Sequence, residues 1–422
     1  MKNKRILVFT LLMSALLVFS AMPAFSADDE VNFEEPEFYV AESSTVESGT
    51  QADALTEADK KTSADLEAAA EAGTTVAKVY YVEDITSSTA LTNLINLLAS
   101  VKTETFKLES TIPANSELDL SETSIKYFTI AAKAAVNVTS ITLPDTIEEF
   151  DGSAIKVTKI TIPSGMKKLT LNNVTTITTL DLTGATGLTH LSLAGAKGLE
   201  ELDLSKNTEL TNLGLSGAIS LKALVLTNLT KLVNLEIANL EAAGENITLP
   251  ADNDKLETLD ISGNQFWFLN AKKKYTSLSS FTGGTQSPKR TSVKASGALF
   301  NFASKFGFSG SGNDAIDYSN ITSVTATDSD SSTFSGSMDE DGLVSWTNGT
   351  PTGIKTITYV YSTMTTASEA ETAAESSMTV EATLSGKAEE TGTVGGSGGG
   401  CSAGFGALAL AAVAAFLLKK SR

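Results

Sequence analysis

The chain is 422 residues long and carries 31 Lys+Arg against 50 Asp+Glu, a formal net charge of −19, with one His and one Cys. That length allows roughly two to three domains. A single cysteine excludes an internal disulfide and Cys-based zinc sites, a single histidine leaves almost no route to a His-activated nucleophile, and the acidic balance argues against a nucleic-acid binder.

Residues 1–27 read as a secretory signal peptide. Lys2, Lys4 and Arg5 form a positive start, Ile6 to Phe19 an apolar core, and Ala24-Phe25-Ser26 a small-residue cleavage site after Pro23. Residues 28–75 are expected to be an acidic disordered arm. Fourteen acids and two lysines fall in residues 28–72, and apolar residues are sparse there. This arm holds much of the net charge, which therefore marks a solvated segment rather than an acidic binding site.

Residues 76–104 are expected to form an N-terminal cap. VAKVYYV (76–82) suits a strand, and Leu91, Leu94, Ile95, Leu97, Leu98 and Val101 approximate the pattern of an amphipathic helix over 88–101, with Ser87 or Ser88 as N-cap. A repeat array needs its open first core covered.

The strongest signal is a unit L-x-x-L-x-L plus a short remainder. Leu169-x-Leu171 recurs as Leu180-x-Leu182, Leu191-x-Leu193, Leu202-x-Leu204, Leu213-x-Leu215, Leu224-x-Leu226 and Leu235-x-Ile237, always at the same 11-residue step. Weaker copies include Ile125-x-x-Phe128-x-Ile130 upstream and Leu256-x-x-Leu259-x-Ile261 downstream. Each L-x-L puts two leucines on one face of a strand and the residue between them on the other. One such unit cannot close a coil around a core, but two can, with a strand on each side. The fold class is therefore mostly β: a leucine-rich-repeat solenoid with 11-residue half-repeats over 105–280. LDLSKNTELTNLGLSGA resembles the irregular bacterial leucine-rich repeats with nested half-repeats, and ITLPDTIEEF…ITIPSGMKKL resembles the BspA-like variety. The turn Asn of such repeats is present as Asn207 and Asn264, but Ala185, Ala196 and Ala218 replace it elsewhere, so other groups must satisfy those turns.

The outward residues should align into two stripes, one per side. One holds Thr179, Asp181, Glu201, Asp203, Ala223 and Val225. The other holds His190, Ser192, Asn212, Gly214, Asn234, Glu236, Thr258 and Asp260. The candidate binding surface is Asp181, His190, Glu201, Asp203, Asn212, Asn234, Glu236 and Asp260. His190 reads as a surface histidine, because no Ser or Cys nucleophile has a recognisable setting beside it. Neighbouring carboxylates such as Glu148/Glu149 and Glu200/Glu201/Asp203 read as a solvated face rather than a glycosidase pair. Phe266-Trp267-Phe268 reads as core closing the end of the array.

In residues 281–386 the regular step disappears. Alternating stretches (ITSVTAT, KTITYVY, MTVEATL) separated by turn-rich segments point to a small antiparallel β-sandwich-like domain. Asp328, Asp330, Asp339, Glu340 and Asp341 read as turn-forming acids, since the EF-hand spacing is absent, with a calcium site in these oxygen-rich loops as the alternative. No cofactor and no metal ligand set is expected.

Residues 387–400 suit a flexible linker, and 401–422 an address: Cys401, a short apolar run (Ala407 to Leu418), then Lys419-Lys420-Ser421-Arg422. GGGCSAGFGALAL…KKSR resembles the Synergist-CTERM sorting signals. The resemblance implies a membrane-held tail cut by a sorting protease, with Gly399, Gly400 and Cys401 as the processing point.

Together these features lead to the expectation of an exported, non-catalytic protein at the surface or outer membrane of a two-membrane bacterium, taking part in protein–protein interaction or adhesion. Its partner would be a protein or glycan ligand. A glycan- or peptide-capture module and a structural envelope spacer are the alternatives.

Overall fold

The computed structural model describes residues 51–131, 138–153, 155–241, 246–251, 253–290, 300–301, 316–363 and 377–384. The expected signal peptide, linker and sorting tail, with Gly399, Gly400 and Cys401, lie outside these residues. Among the described residues, no helix is long and apolar enough to cross a membrane.

Ten short parallel strands form one continuous sheet, the front of the solenoid. They run from Lys78–Tyr81 through Thr105–Leu108, Tyr127–Ile130, Glu149–Asp151, Lys168–Thr170, His190–Ser192, Asn212–Gly214, Asn234–Glu236 and Thr258–Asp260 to Ser280–Thr282. The central residue of each strand points inward and is in register with the next. The column reads Phe106, Phe128, Phe150, Leu169, Leu191, Leu213, Leu235, Leu259 and Phe281. All nine are buried. The register partners Leu191, Leu213 and Leu235 come from every second L-x-L unit, so two half-repeats make one coil. The coil is shorter between Phe150 and Leu169 and longer between Leu235 and Leu259. Three phenylalanines form the first part of the column. The rings of Phe106 and Phe128 stack at 5.2 Å and 3°, and those of Phe128 and Phe150 at 5.2 Å and 16°.

The half-repeats between these strands form the back. They pair more loosely: Ser116–Asp119, Val138–Thr142 and Lys159–Thr161 make a three-stranded sheet, a lone bridge joins Thr179 to Glu201, and Leu224–Val225 pairs with Ile247–Thr248.

Turns after the front strands share one backbone device, whether or not the turn asparagine is present. Asn173, Gly195, Gly217, Asn239 and Gly263 all have φ between +56° and +78°. This left-handed conformation favours Gly and Asn. It aims each amide at the carbonyl of the following coil: Asn173 N donates to Ala194 O (2.7 Å), Gly195 N to Ser216 O (2.7 Å) and Gly217 N to Ala238 O (2.8 Å). Where Asn264 is present, its Nδ2 donates to Ile237 O and Ile261 O, and its Oδ1 accepts from Leu240 N, each at 2.8 Å. A Cβ at Gly195 would sit 2.3 Å from Asn173 Oδ1. Gly195→Val adds that clash to a strained φ and is expected to cost about 1–3 kcal/mol, read from the denaturation midpoint.

The N-terminal side holds two helices, α1 (Ser63–Glu71) and α2 (Ser88–Ser100). Ser87 caps α2, accepting from Ala90 N at 3.1 Å, and Leu91, Leu94 and Leu98 face the core. The composition of 28–75 suggested disorder throughout, yet residues 51–75 are folded onto the array. Thr62 and Asp65 make a reciprocal capping box for α1, and Leu66 is fully buried in the common core, with Ala52 and Leu55 buried before it. Lys60 bridges to Tyr80, and Gln51 N donates to Glu149 Oε2 at 3.0 Å. Few apolar residues suffice here because the surface they dock on is already formed. Residues 28–50 lie outside the described residues.

Beyond the solenoid, eight strands form a second sheet. Ile321–Thr327, Thr333–Met338, Leu343–Trp346, Thr356–Ser362 and Ser377–Leu384 are its body, joined antiparallel, and Thr285–Gln286 and Lys289–Arg290 add parallel to Ser377–Leu384. The expected antiparallel β region is therefore present. Among the described residues it is one sheet, and the layer its apolar face packs on is the end of the solenoid. Alternation reveals a buried face but not what covers it, which is why the sequence suggested a sandwich. Tyr359 OH donates to Trp267 O (2.6 Å), Tyr361 OH donates to Asn270 Oδ1 (2.6 Å), and the rings of Phe268 and Tyr361 lie 6.0 Å apart. Phe266-Trp267-Phe268 thus closes the array by joining it to this sheet.

Candidate binding site

The front stripe read from the sequence is brought together as an in-register ladder, whereas on the opposite side only Thr179 and Glu201 are bridged. On the front, His190, Asn212, Asn234 and Thr258 form one row, and Ser192, Gly214, Glu236 and Asp260 the next. On the back, the Thr179–Glu201 bridge places Asp181 level with Asp203. The eight candidate residues therefore make two surfaces, five on the front and three on the back.

The front row is less open than the sequence suggests. Ser192 is 2% exposed, Asn212 8% and Glu236 7%. Strands about 5 Å apart press outward side chains against each other across the sheet, so short polar groups spend their capacity on neighbours. Ser192 Oγ donates to Asn172 Oδ1 at 2.7 Å, and the same oxygen accepts from Ala194 N at 2.9 Å. His190 is half-buried, with Nδ1 2.8 Å from Thr189 Oγ1. Asn234 and Asp260 are also half-buried, and Asp260 Oδ1 accepts from Ser262 N at 2.9 Å. The front is a close-packed polar wall.

The back ladder breaks, and the break opens a cleft of about 490 Å³. Lys222 N still donates to Glu200 O at 3.1 Å. Beyond that bond no strand pairing joins residues 201–204 to Leu224–Val225, which pairs with the following coil instead. Leu202, Leu204, Ala223, Val225 and Leu229 give the cleft an apolar lining. Val225 is 61% exposed, the most open large apolar side chain among the described residues. Glu200, Glu201 and Asp203 give it an acidic rim. Glu200 pairs with Lys222 across the mouth. Asp203 accepts from Ser205 N at 2.8 Å, and that backbone bond holds its carboxyl below the usual range, so it is anionic at neutral pH. Asp181 is lowered in the same way, first by the Thr183 hydroxyl and then by its amide.

The remaining candidate groups have structural tasks. Glu148 pairs with Lys167, Glu104 with Lys126, and Glu209 with Lys231, tying successive coils. Asp328 Oδ1 accepts from Asp330 N and Ser332 N, and Asp339 Oδ1 from Asp341 N and Leu343 N, so these acids build turns. Among the described residues no group of three or more His, Cys, Asp or Glu could hold a metal ion.

The candidate set omitted Val225, Ala223, Leu202 and Lys222. A signal existed: the outward back positions change from Thr179/Asp181 and Glu201/Asp203 to Ala223/Val225, and an outward valine serves no core. Gln286 was missed as well. It stands one coil after Asn264 and repeats its role, with Nε2 donating to Ile261 O (2.8 Å) and Gly283 O (2.6 Å).

No protein-family model and no curated protein matches the chain. Solved structures similar to it include the functional domain of InlJ from Listeria monocytogenes, 16% identical over 73% of this chain and 84% of that one, with a TM-score of 0.29. The Listeria monocytogenes internalin-like protein lmo2027 is 13% identical over 77% and 89%, with a TM-score of 0.39. The internalin InlF of the same species is 17% identical over 48% and 73%, with a TM-score of 0.28. The strand register itself makes this chain a mostly β, leucine-rich-repeat solenoid of paired half-repeats, followed by an antiparallel β region.

Proposed function

We propose that the chain is an exported cell-surface protein whose solenoid mediates protein–protein interaction or adhesion without catalysis. The observation that carries this reading is the in-register outward surface of the front sheet, because a repeated surface on a stiff array is suited to binding an extended partner. Glu148 and Glu200 are engaged in coil-to-coil ion pairs and Asp203 in a turn, which supports binding over chemistry. Export rests on the signal-peptide pattern of residues 1–27. Retention at the envelope rests on the tail, where Gly399, Gly400 and Cys401 would be cut by a sorting protease and the apolar run would hold the precursor in the membrane.

The test is to incubate the purified chain with extracellular matrix proteins, glycan arrays and whole cells. Saturable binding to a protein or cell surface is expected. Binding to glycans alone would favour ligand capture, and no binding to any of the three would favour an envelope spacer. Intact-mass analysis of the surface form tests the address: loss of the residues beyond Cys401 is expected, and a form still ending in Lys419-Lys420-Ser421-Arg422 would contradict processing.

A further inference from the structure

The back cleft has a chemistry that neither ladder shares. Its floor is apolar, with Val225 projecting into solvent where every comparable outward position on the two preceding back strands is polar. The walls come from consecutive coils that meet at Lys222 N–Glu200 O and then part, so the backbone edges facing the cleft are not joined in a ladder. Its rim is acidic. Glu200 is matched by Lys222, whereas Glu201 and Asp203 stand exposed, with Asp181 level with Asp203 on the preceding coil. Lys206 is the cation beside Asp203.

An apolar floor with unjoined backbone edges suits an extended polypeptide, which offers side chains at alternate positions and backbone groups between them. The surplus of negative charge at the rim selects the sign of those side chains.

We infer that the cleft between residues 200–205 and 222–229 docks an extended, cationic segment of a partner polypeptide. An apolar side chain of that segment sits on Val225 and Leu202, and flanking Lys or Arg side chains meet Glu201 and Asp203. This inference rests on the binding reading above and names the partner chemistry of one of its surfaces.

The test is fluorescence anisotropy of a labelled Lys-Val-Lys-Val-Lys peptide titrated with the full chain at low salt. Saturable binding is expected, weakening at least tenfold as ionic strength rises from about 0.02 to about 0.5 M, as screening of exposed charges requires. The paired substitutions Glu201→Gln and Asp203→Asn keep side-chain shape and should weaken binding about tenfold. Val225→Arg places bulk and like charge in the cleft and should abolish it. Circular dichroism establishes that each variant is folded. A Gln-Val-Gln-Val-Gln peptide and spermidine should both bind at least tenfold more weakly than the cationic peptide.

Equal binding of spermidine would overturn the polypeptide assignment. No binding of the cationic peptide to wild type, or equal binding by wild type and Val225→Arg, would overturn the cleft. The same preparations are tested on matrix proteins and cells. Retained binding there with a failed peptide assay removes only the cleft, whereas failure of both removes the adhesion reading too.

Discussion

Phe128→Ala is expected to destabilise the protein by about 3–5 kcal/mol, the range for emptying a large buried aromatic site. Phe128 is fully buried and stacks on Phe106 before it and Phe150 after it. The loss therefore includes its own transfer term, a cavity, and two ring contacts worth about 0.5–1.5 kcal/mol each. Neither neighbour can fill the gap, because each is fixed by the backbone register Phe106–Phe128–Phe150. Because each coil touches only its neighbours, the damage should be local. Hydrogen exchange should accelerate around residues 105–151 while the strands from His190 onward keep more of their protection. Phe128→Leu should recover about half of the loss, since leucine already serves this column from Leu169 to Leu259.

Tyr359→Ala should cost a similar amount, but through a different part of the molecule. Tyr359 is fully buried at the junction of the solenoid and the terminal sheet. Its hydroxyl is the donor to Trp267 O, so truncation leaves a cavity and a buried carbonyl without that partner, about 3–5 kcal/mol together. Limited proteolysis should then cut the terminal sheet from a solenoid that stays folded. Tyr359→Phe keeps the ring and should lose only about 1–2 kcal/mol.

The same hydroxyl gives a pH signature. Burial pushes the Tyr359 phenol well above its ordinary value of 10, and Tyr361 is raised by the same cause. A raised folded pKa means the folded state holds its proton more tightly than the unfolded chain. The stability it supplies is fully present below pH 10 and is lost as pH rises through the folded value. At the other end of the array, the hydrogen bond from Tyr80 to Glu109 raises that phenol to about 12. Unfolding midpoints should therefore fall between pH 10 and 12, and Tyr359→Phe should flatten part of that fall.

The repeat was legible because its spacing states a geometry. An L-x-L recurring at a constant step fixes which side chain is buried, which is outward, and which coil neighbour it meets; the pairing of Leu191, Leu213 and Leu235 follows from it. Three features were not legible, each for a physical reason. α1 is held by Leu66 and a capping box against a surface that composition cannot see. Asn212 and Glu236 point outward but are packed between strands, and periodicity gives direction, not exposure. The cleft exists because pairing lapses between two back strands, and only Val225, an apolar residue at an outward position, hinted at it. Charge at the cleft was visible; the opening beside it was not.

The central claim is that two half-repeats make one coil, so that front and back are distinct surfaces. Two internal deletions test it, with thermal unfolding followed by circular dichroism. Removing residues 191–212 takes out one whole coil and joins His190 to Leu213, the register partner of the deleted Leu191. Removing residues 191–201 takes out half a coil and moves every later front strand to the back. That move also carries the left-handed Gly217, Asn239 and Gly263 to the wrong turns. The whole-coil deletion should keep a single cooperative transition within about 10 °C of wild type, an order-of-magnitude expectation for losing one of many similar repeats. The half-coil deletion should lose it. Equal tolerance of both deletions, or a folded half-coil variant beside an unfolded whole-coil one, would contradict the account.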